Sequence, residues 1–282
     1  MEKIVDTHAH LNFKIFKNRI EKVIKDAKNV GVEKIIIPSA NKETTLIAKN
    51  ISEEFKNIYF ACGIHPLYLR GKAVNIKNRK IESFLTFTDS GGNEEFKVKE
   101  FKSLLKKAVA IGEVGLDYYE SSQRKSFIKK EVQQKILKFF FNLSLETKKP
   151  LILHIRPSKK SFDAFLDLIK ISKKYKKLPK AVLHCYSAYA EITNNLLKLG
   201  FYFSFTQMTF YNEKIKESFK IIPIERIMLE TDSPFLSPFK GKINEPKYLA
   251  NIAKRLAELK NIPFEEFAKI TYKNSIDFFN LY

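Results

Sequence analysis

Histidine is scarce in this chain, with five among 282 residues, yet two of the five lie two positions apart near its start. His8 and His10 belong to the stretch "IVDTHAHLNF" and follow an apolar run. Side chains at positions i and i+2 of a strand point to the same face of a sheet. Two imidazoles on one face can bind the same metal ion, so this stretch predicts part of a metal site.

Other elements must bring further ligands to these two histidines, and the apolar pattern predicts eight short strands. In chain order they are Ile4–Asp6, Lys34–Ile37, Ile58–Cys62, Val109–Glu113, Leu151–His154, Ala181–His184, Tyr202–Ser204 and Ile227–Glu230. Amphipathic segments with apolar residues at helical spacing lie between them. Eight strands that alternate with helices predict an α/β fold, namely a single (β/α)8 TIM barrel domain over residues 1–282.

One region departs from this alternation. Residues 67–107 carry turn-forming and charged residues but no clear strand, so we expect a long surface excursion with a helix near its end. The last amphipathic segment, Pro263–Phe279, predicts a helix that packs on the barrel wall.

The predicted barrel places residues that can bind metal at one of its two ends. Active sites of such barrels lie at the carboxyl ends of the strands, and all five histidines fall there together with a glutamate and an aspartate. A lone histidine at a strand end is usually a hydrogen-bonded structural residue. Convergence of six candidate ligands from different strands is hard to explain in that way. The candidates are His8, His10, Glu113, His154, His184 and Asp232.

This set has the chemistry of a site for divalent metal ions. Imidazoles combined with carboxylates suit zinc, manganese or cobalt, with magnesium as a further candidate. The number of donors is sufficient for two ions that share one carboxylate. Glu113 lies on a central predicted strand and is the natural bridge between them.

The charge of the chain is compatible with two interpretations. A formal net charge of +20 fits a partner rich in phosphate, because Lys and Arg gain affinity for nucleic acid by releasing its counterions. The excess is almost all lysine and is scattered along the chain, which a solvated surface explains equally well. Composition alone therefore does not choose between a nucleic-acid field and ordinary solubility.

The cysteines and the apolar runs of the chain indicate its cellular compartment. Cys62 and Cys185 lie far apart with no CxxC pattern, which argues against a disulfide framework and against a zinc ribbon. No apolar run approaches the roughly 20 residues of a membrane span, and the start lacks the layout of a signal peptide. We expect a cytoplasmic protein with no membrane partner, and no obligate protein partner is implied.

Six motifs in this order resemble the TatD family of metal-dependent deoxyribonucleases, within the amidohydrolase superfamily of barrels. They are "DTHAHL", "GIHP", "IGEVGLDYY", "ILHIR", "LHCYS" and "MLETDSPFL", and the resemblance spans Ile4 to Pro246. The resemblance implies two metal positions with one common ligand: His8, His10 and Asp232 at one, His154 and His184 at the other, and Glu113 at both. The chain departs from the family in its long connection between "GIHP" and "IGE".

Two further residues are predicted to contact substrate. In the family pattern His65 of "GIHP" faces the substrate and donates to a phosphate oxygen, although a structural role beside Pro66 is the alternative. Arg156 lies two residues after His154, so its guanidinium can pair with a phosphate at the same mouth. A plain surface arginine is the competing interpretation.

These observations predict a two-metal deoxyribonuclease in which Asp232 and Glu113 are the catalytic carboxylates. Asp232 would bind metal and accept the proton of the attacking water, and Glu113 would hold the two ions together. One alternative is a hydrolase of another ester or amide, such as a D-aminoacyl-tRNA deacylase, which would use the same ions on a carbonyl. A catalytically inactive barrel that binds nucleic acid is a second alternative, although no ligand is missing here.

Overall fold

Short runs of Ile, Val, Leu and Phe form eight parallel strands in the computed structural model, which describes residues 2–68, 98–120 and 128–282. The strands are β1 (Ile4–Asp6), β2 (Val32–Ile37), β3 (Ile58–Cys62), β4 (Ala110–Asp117), β5 (Leu151–Arg156), β6 (Ala181–Leu183), β7 (Tyr202–Phe205) and β8 (Ile227–Leu229). Each strand pairs with the next along the chain. All eight predicted strands are therefore confirmed.

The ends of the sheet meet and form a barrel. The amide of Thr7, just after β1, donates to the carbonyl of Leu229 in β8 at 3.0 Å. Ala9 and Ser233 add an isolated parallel bridge between the segments that follow these strands. The fold is the predicted (β/α)8 TIM barrel.

Helices connect the strands on the outside of the barrel. They are α1 (Ile20–Lys28), α2 (Lys42–Glu54), α3 (Val98–Lys107), α4 (Lys130–Thr147), α5 (Asp163–Ser172), α6 (Ala190–Lys198), α7 (Glu213–Ile221), α8 (Leu249–Lys260) and α9 (Phe264–Phe279). The helix predicted at Pro263–Phe279 corresponds to α9. None of the helices in the described part of the chain is long and apolar enough to cross a membrane.

The predicted surface excursion at 67–107 is described only at its two ends. Residues 69–97 lie outside the described residues. Pro66–Tyr68 forms a short 3-10 helix after β3, and α3 is the helix expected near the end of the excursion.

One end of the barrel is filled by apolar residues, which leaves the other for polar ones. Alternate strand residues form a buried interior cluster of Val5, Ile36, Ala61, Ala110, Ile152, Val182 and Met228. The end of α9 joins this cluster, and the ring of Phe278 packs against Tyr202 at the start of β7 with centroids 4.8 Å apart. Helix α9 therefore covers the amino end of the barrel, and the carboxyl end carries the candidate site.

Candidate metal centre

The structure brings all six predicted ligands together at the carboxyl end of the barrel. His8 and His10 follow β1, and Glu113 and His154 lie within β4 and β5. His184 and Asp232 lie just beyond the ends of β6 and β8. The cluster is almost closed to solvent, since His8 is 0% exposed and Glu113 only 3%.

One oxygen of Glu113 faces the first group of predicted ligands. Oε2 of Glu113 lies 3.5 Å from Nε2 of His8 and 3.8 Å from Nε2 of His10. Oδ1 of Asp232 lies 3.6 Å and 3.5 Å from the same two nitrogens. The backbone places Asp232 there with a φ of 56°, a left-handed conformation that Asp tolerates better than most residues.

The other oxygen of Glu113 faces the second group. Oε1 lies 2.9 Å from Nδ1 of His154 and 2.9 Å from Nε2 of His184. These two nitrogens are 3.1 Å apart. A single carboxylate therefore lies between two separate pairs of imidazoles.

The donor atoms fit bound cations. Nε2 of His8 and Nε2 of His10 are 3.2 Å apart and both point toward carboxylate oxygens. His8, His10 and Glu113 form one group whose ligand atoms lie within 4.8 Å of one another, and Glu113, His154 and His184 form a second. Convergence of nitrogen and oxygen lone pairs in a buried space is the environment that zinc and similar divalent ions prefer.

The charges of the cluster stabilise the ionised carboxylates. Burial alone would raise the pKa of Glu113, but the positive charge of His184 and the hydrogen bonds from His154 and His184 outweigh it and hold that pKa well below its usual range. Burial also opposes ionisation of Asp232, yet a hydrogen bond from His10 and the charge of His8 lower its pKa. Both carboxylates are therefore charged at neutral pH and available as ligands.

Comparison with known proteins shows the family of this chain. The family model described as "TatD related DNase" matches residues 5–280. The chain belongs to the TatD-related DNase family. It is 35% identical over 283 residues to the "Uncharacterized metal-dependent hydrolase YabD" of Bacillus subtilis (strain 168), with 99% of each chain covered. It is 30% identical over 278 residues to an "Uncharacterized metal-dependent hydrolase" of Methanocaldococcus jannaschii, covering 98% of this chain and 97% of the other.

Solved structures of the TatD family are also similar. The structure of "YJJV, TATD Homolog from Escherichia coli k12" matches with a TM-score of 0.78 and 25% identity, and 98% of each chain is covered. A "hydrolase TatD family protein" of Entamoeba histolytica shares the fold at a TM-score of 0.76, with 23% identity and 98% of each chain covered. Together with the sequence relatives, these similarities identify this TatD family member as a metal-dependent hydrolase.

Two carboxylates that lie behind the histidines were missed in the sequence. Nε2 of His154 lies 3.1 Å from Oδ2 of Asp117, and Nδ1 of His184 lies 3.5 Å from Oε1 of Glu230. Carboxylates in such positions fix the orientation and tautomer of ligating imidazoles. The sequence did contain a signal, because Asp117 shares the face of Glu113 on β4 and Glu230 lies two positions before Asp232.

A third buried carboxylate, Asp6, ties the loops after β1 and β8 together. Its Oδ1 accepts from the amides of His8 at 3.3 Å and Thr231 at 3.0 Å. Its Oδ2 accepts from the hydroxyl of Thr231 at 2.6 Å, and that hydroxyl oxygen in turn accepts from Ser233 at 2.7 Å. Thr231 and Ser233 flank Asp232 in the chain, so these contacts with Asp6 fix the backbone on both sides of it.

His65 lies next to Glu113, within the cluster of predicted metal ligands. Its Nδ1 accepts from the amide of Leu67 at 3.1 Å, which leaves the ring proton on Nε2. That Nε2 lies 3.4 Å from Oε1 of Glu113. Burial and the charge of His154 lower the pKa of His65 to about 3, so the ring is neutral and acts as a donor.

A cavity of about 560 Å³ opens above the cluster, and both predicted substrate residues line it. The guanidinium of Arg156 lies 4.2 Å from the ring centroid of Tyr119, which orients it toward the mouth. Cys185 also lines the cavity, although it directly follows the predicted strand Ala181–His184. Strand alternation does not hold here, because β6 ends at Leu183 and Cys185 has a φ of 45°.

Proposed function

We propose that this metal-dependent hydrolase is a deoxyribonuclease that cleaves phosphodiester bonds of DNA with two divalent ions, and that residues 1–282 act as one catalytic domain. The observation that supports two ions is the position of Glu113, whose two oxygens face different pairs of histidines. His8, His10 and Asp232 would hold one ion, His154 and His184 the other, and Glu113 both. When bound, the ions would lower the pKa of water and offset the negative charge of the phosphate.

Asp232 is the proposed general base. Its lowered pKa keeps it ionised near neutral pH, so it can take a proton from the water that attacks phosphorus. The bond that forms joins the water oxygen to phosphorus, and the bond that breaks joins phosphorus to the sugar oxygen that leaves. Asp232 has 14% of its side chain exposed and lines the cavity, so it can reach both water and substrate.

His65 and Arg156 are the proposed phosphate contacts. The proton on Nε2 of His65 can be donated to a non-bridging oxygen in the cavity. Arg156 offers a planar fork of N–H donors, which matches two phosphate oxygens at once. Both residues would hold the phosphate in line with the attacking water while Asp232 takes the proton.

The test is an activity screen with the purified chain loaded with magnesium, manganese, cobalt or zinc. A 3′-labelled oligonucleotide and a D-aminoacyl-tRNA are offered in parallel, with Glu113→Gln as the inactive control. We expect shortened oligonucleotide products and no release of the amino acid. Release of the amino acid without DNA cleavage would favour the deacylase, and full metal occupancy with neither activity would favour an inactive nucleic-acid-binding barrel.

Metal content is measured on the same preparations. We expect about two ions per chain at saturation, because the ligands form two groups around Glu113. A stoichiometry that stays at one in a titration with manganese and zinc would exclude the two-metal mechanism while leaving the hydrolase assignment intact.

A further inference from the structure

A second cavity lies at the amino end of the barrel, away from the metal centre. It has a volume of about 490 Å³ and lies between the amino-terminal parts of β2, β3 and β4. Ligand pockets usually measure about 300 to 1,000 Å³. The lining of this cavity includes three lysines, a glutamate and two aromatic residues, namely Lys34, Lys56, Lys107, Glu53, Phe55 and Tyr59. We call it the amino-end cavity.

The innermost of these lysines, Lys34, is buried without a carboxylate partner. It lies in β2 two positions before Ile36 of the buried interior cluster, so strand alternation directs its side chain toward the inside of the barrel. Lys34 is only 9% exposed. In the part of the chain that the structure describes, its ammonium group forms no ion pair and donates to one acceptor, the hydroxyl of Tyr59 at 3.0 Å. An ammonium group has three N–H donors, and a buried charge is costly without a counter-charge, so Lys34 can accommodate an anion.

The other two lysines add positive charge at the edge of the amino-end cavity. Lys56, just before β3, is exposed and forms no ion pair with any residue in the described ranges. Lys107, the last residue of α3, donates to Oε1 of Glu53 at 2.9 Å. Oε2 of the same glutamate accepts from Lys49 at 2.5 Å. Because two lysines already offset the charge of Glu53, the lining side chains have a net positive charge.

Aromatic rings provide an apolar surface next to these charges. The ammonium group of Lys34 lies over the ring of Tyr59, 5.3 Å from its centroid. Phe55, which follows α2, is only partly buried and lines the same cavity. A flat apolar surface beside ammonium groups suits a ligand that combines an aromatic ring with an anionic group.

We infer that the amino-end cavity binds a small aromatic phosphate, with the phosphate on Lys34 and Lys56 and the ring against Phe55 and Tyr59. A phosphate monoester fits better than a carboxylate, because it carries a charge of about −1.5 to −2 at neutral pH and several ammonium groups face it. The inference goes beyond the proposed function. The described lining of this cavity includes no residue of the metal centre, so binding here is separate from hydrolysis.

The test is isothermal titration of the purified chain with phenyl phosphate, inorganic phosphate and benzoate. EDTA is present throughout, so that no metal ion holds phosphate at the carboxyl end of the barrel. Lys34→Gln and Lys56→Gln each remove one ammonium group from the amino-end cavity. Lys106→Gln is the matched control, because Lys106 is also exposed and precedes Lys107 but does not line the cavity. Arg156→Ala measures any phosphate binding at the other cavity.

We expect one phenyl phosphate to bind per chain at the amino-end cavity. Lys34→Gln should weaken binding at least about tenfold, because a buried hydrogen bond to a charged group is lost. Lys56→Gln should weaken it about two- to fivefold, since solvent screens an exposed charge. Lys106→Gln and Arg156→Ala should keep the wild-type affinity. Inorganic phosphate lacks the ring and benzoate has a single charge, so both should bind at least about fivefold more weakly than phenyl phosphate.

Four results would contradict the inference. Wild-type affinity in both Lys34→Gln and Lys56→Gln would exclude the two lysines as contacts, and a loss confined to Arg156→Ala would assign phosphate binding to the metal centre. Benzoate that binds as tightly as phenyl phosphate would exclude phosphate as the preferred anion. Absence of binding to the wild type at phenyl phosphate concentrations up to about 10 mM would make Lys34 a purely structural residue. Circular dichroism checks that Lys34→Gln is folded, and if it is not, the comparison of Lys56→Gln with Lys106→Gln decides the question.

Discussion

At the scale of single residues, Glu113 is the side chain on which both predicted ion positions depend. Glu113→Gln keeps the size of the side chain but removes the charge that faces His154 and His184. We expect kcat to fall by at least about 10²-fold, because the position and affinity of both ions change. The dissociation constant for DNA, measured without turnover, should change by less than about threefold, since the proposed phosphate contacts are other residues.

Near-normal turnover of this variant would show that Glu113 is not the bridge. Metal analysis gives an independent measure, because loss of the bridge should lower the number of ions retained after gel filtration. Glu120→Gln is the matched control, since Glu120 is an exposed carboxylate at the same rim.

Substitutions of Asp232 and of Arg156 should change different kinetic constants. Asp232→Asn removes the proton acceptor, so kcat at saturating DNA and metal should fall by about 10² to 10⁴-fold. Arg156→Ala should mainly raise KM, because the proposed role of the arginine is to position phosphate and it takes no proton. Both are measured as full kinetic curves with metal in excess. Wild-type kcat in Asp232→Asn together with a lost kcat in Arg156→Ala would require the two roles to be exchanged.

Glu230 is expected to act on the ions through His184. Its Oε1 accepts from the amide of Cys185 at 2.5 Å and lies 3.5 Å from Nδ1 of His184. Glu230→Gln should lower metal affinity about 10 to 100-fold, as loss of carboxylates behind ligating histidines usually does. Isothermal titration with zinc or manganese measures this directly, and an unchanged affinity would leave Glu230 a purely structural residue.

The candidate ligands could be found from the sequence because each is a His, Asp or Glu at the end of an apolar run. The supporting residues were harder to find, since their function depends on which atoms they face. Asp117 and Glu230 precede or follow the predicted ligands in the same motifs, but only the fold shows that they face His154 and His184. Asp6 was hidden within the strand that the apolar pattern itself predicted.

At the scale of elements, hydrophobic periodicity was sufficient to locate the strands but not to predict where each strand ends. β4 continues past Glu113 to Asp117, which the sequence alone did not indicate. Gln133 of α4 explains part of this, because its side chain accepts from the amide of Asp117 at 2.8 Å and donates to the Asp117 carbonyl at 3.0 Å. Tertiary contacts of this kind extend a strand beyond its apolar run, and they are not visible in local sequence.

Gly115 in the middle of β4 permits this strand to approach β5. Its φ is 151°, and a Cβ added there would lie 1.9 Å from the carbonyl oxygen of His154. Gly115→Ala should therefore lower the free energy of unfolding by about 2 to 4 kcal/mol and displace His154. Gly200→Ala is the control, because its φ of 83° is also positive but the described structure has no heavy atom within 4 Å of the added Cβ.

Urea unfolding of both variants measures the difference. The control should lose only about 1 kcal/mol, the cost of a left-handed conformation for a residue other than glycine. Equal losses in the two variants would mean that close packing against His154 is not what requires glycine at position 115.

At the scale of the whole molecule, protonation of His184 should stabilise the metal-free protein but oppose metal binding. Burial would lower the pKa of His184, but the charges of Glu113 and Glu230 and their hydrogen bonds outweigh it and raise that pKa well above the usual 6.5. In the metal-free protein the protonated ring pairs with these carboxylates. This stabilisation is fully present below a pH of 6.5, the ordinary pKa, and is lost as the pH rises through the raised one.

Bound ions reverse the sign, because a ring nitrogen must lose its proton before it can bind metal. Stabilisation by zinc or manganese should therefore increase over the same range in which the metal-free protein loses its histidine pairing. We compare Tm of the wild type and of His184→Gln between a pH of about 6.5 and about 9. In EDTA the advantage of the wild type should shrink as the pH rises, and with saturating metal it should grow. A change of the same sign under both conditions would mean that protonation of His184 does not compete with metal, and the ligand assignment of His184 would have to be withdrawn.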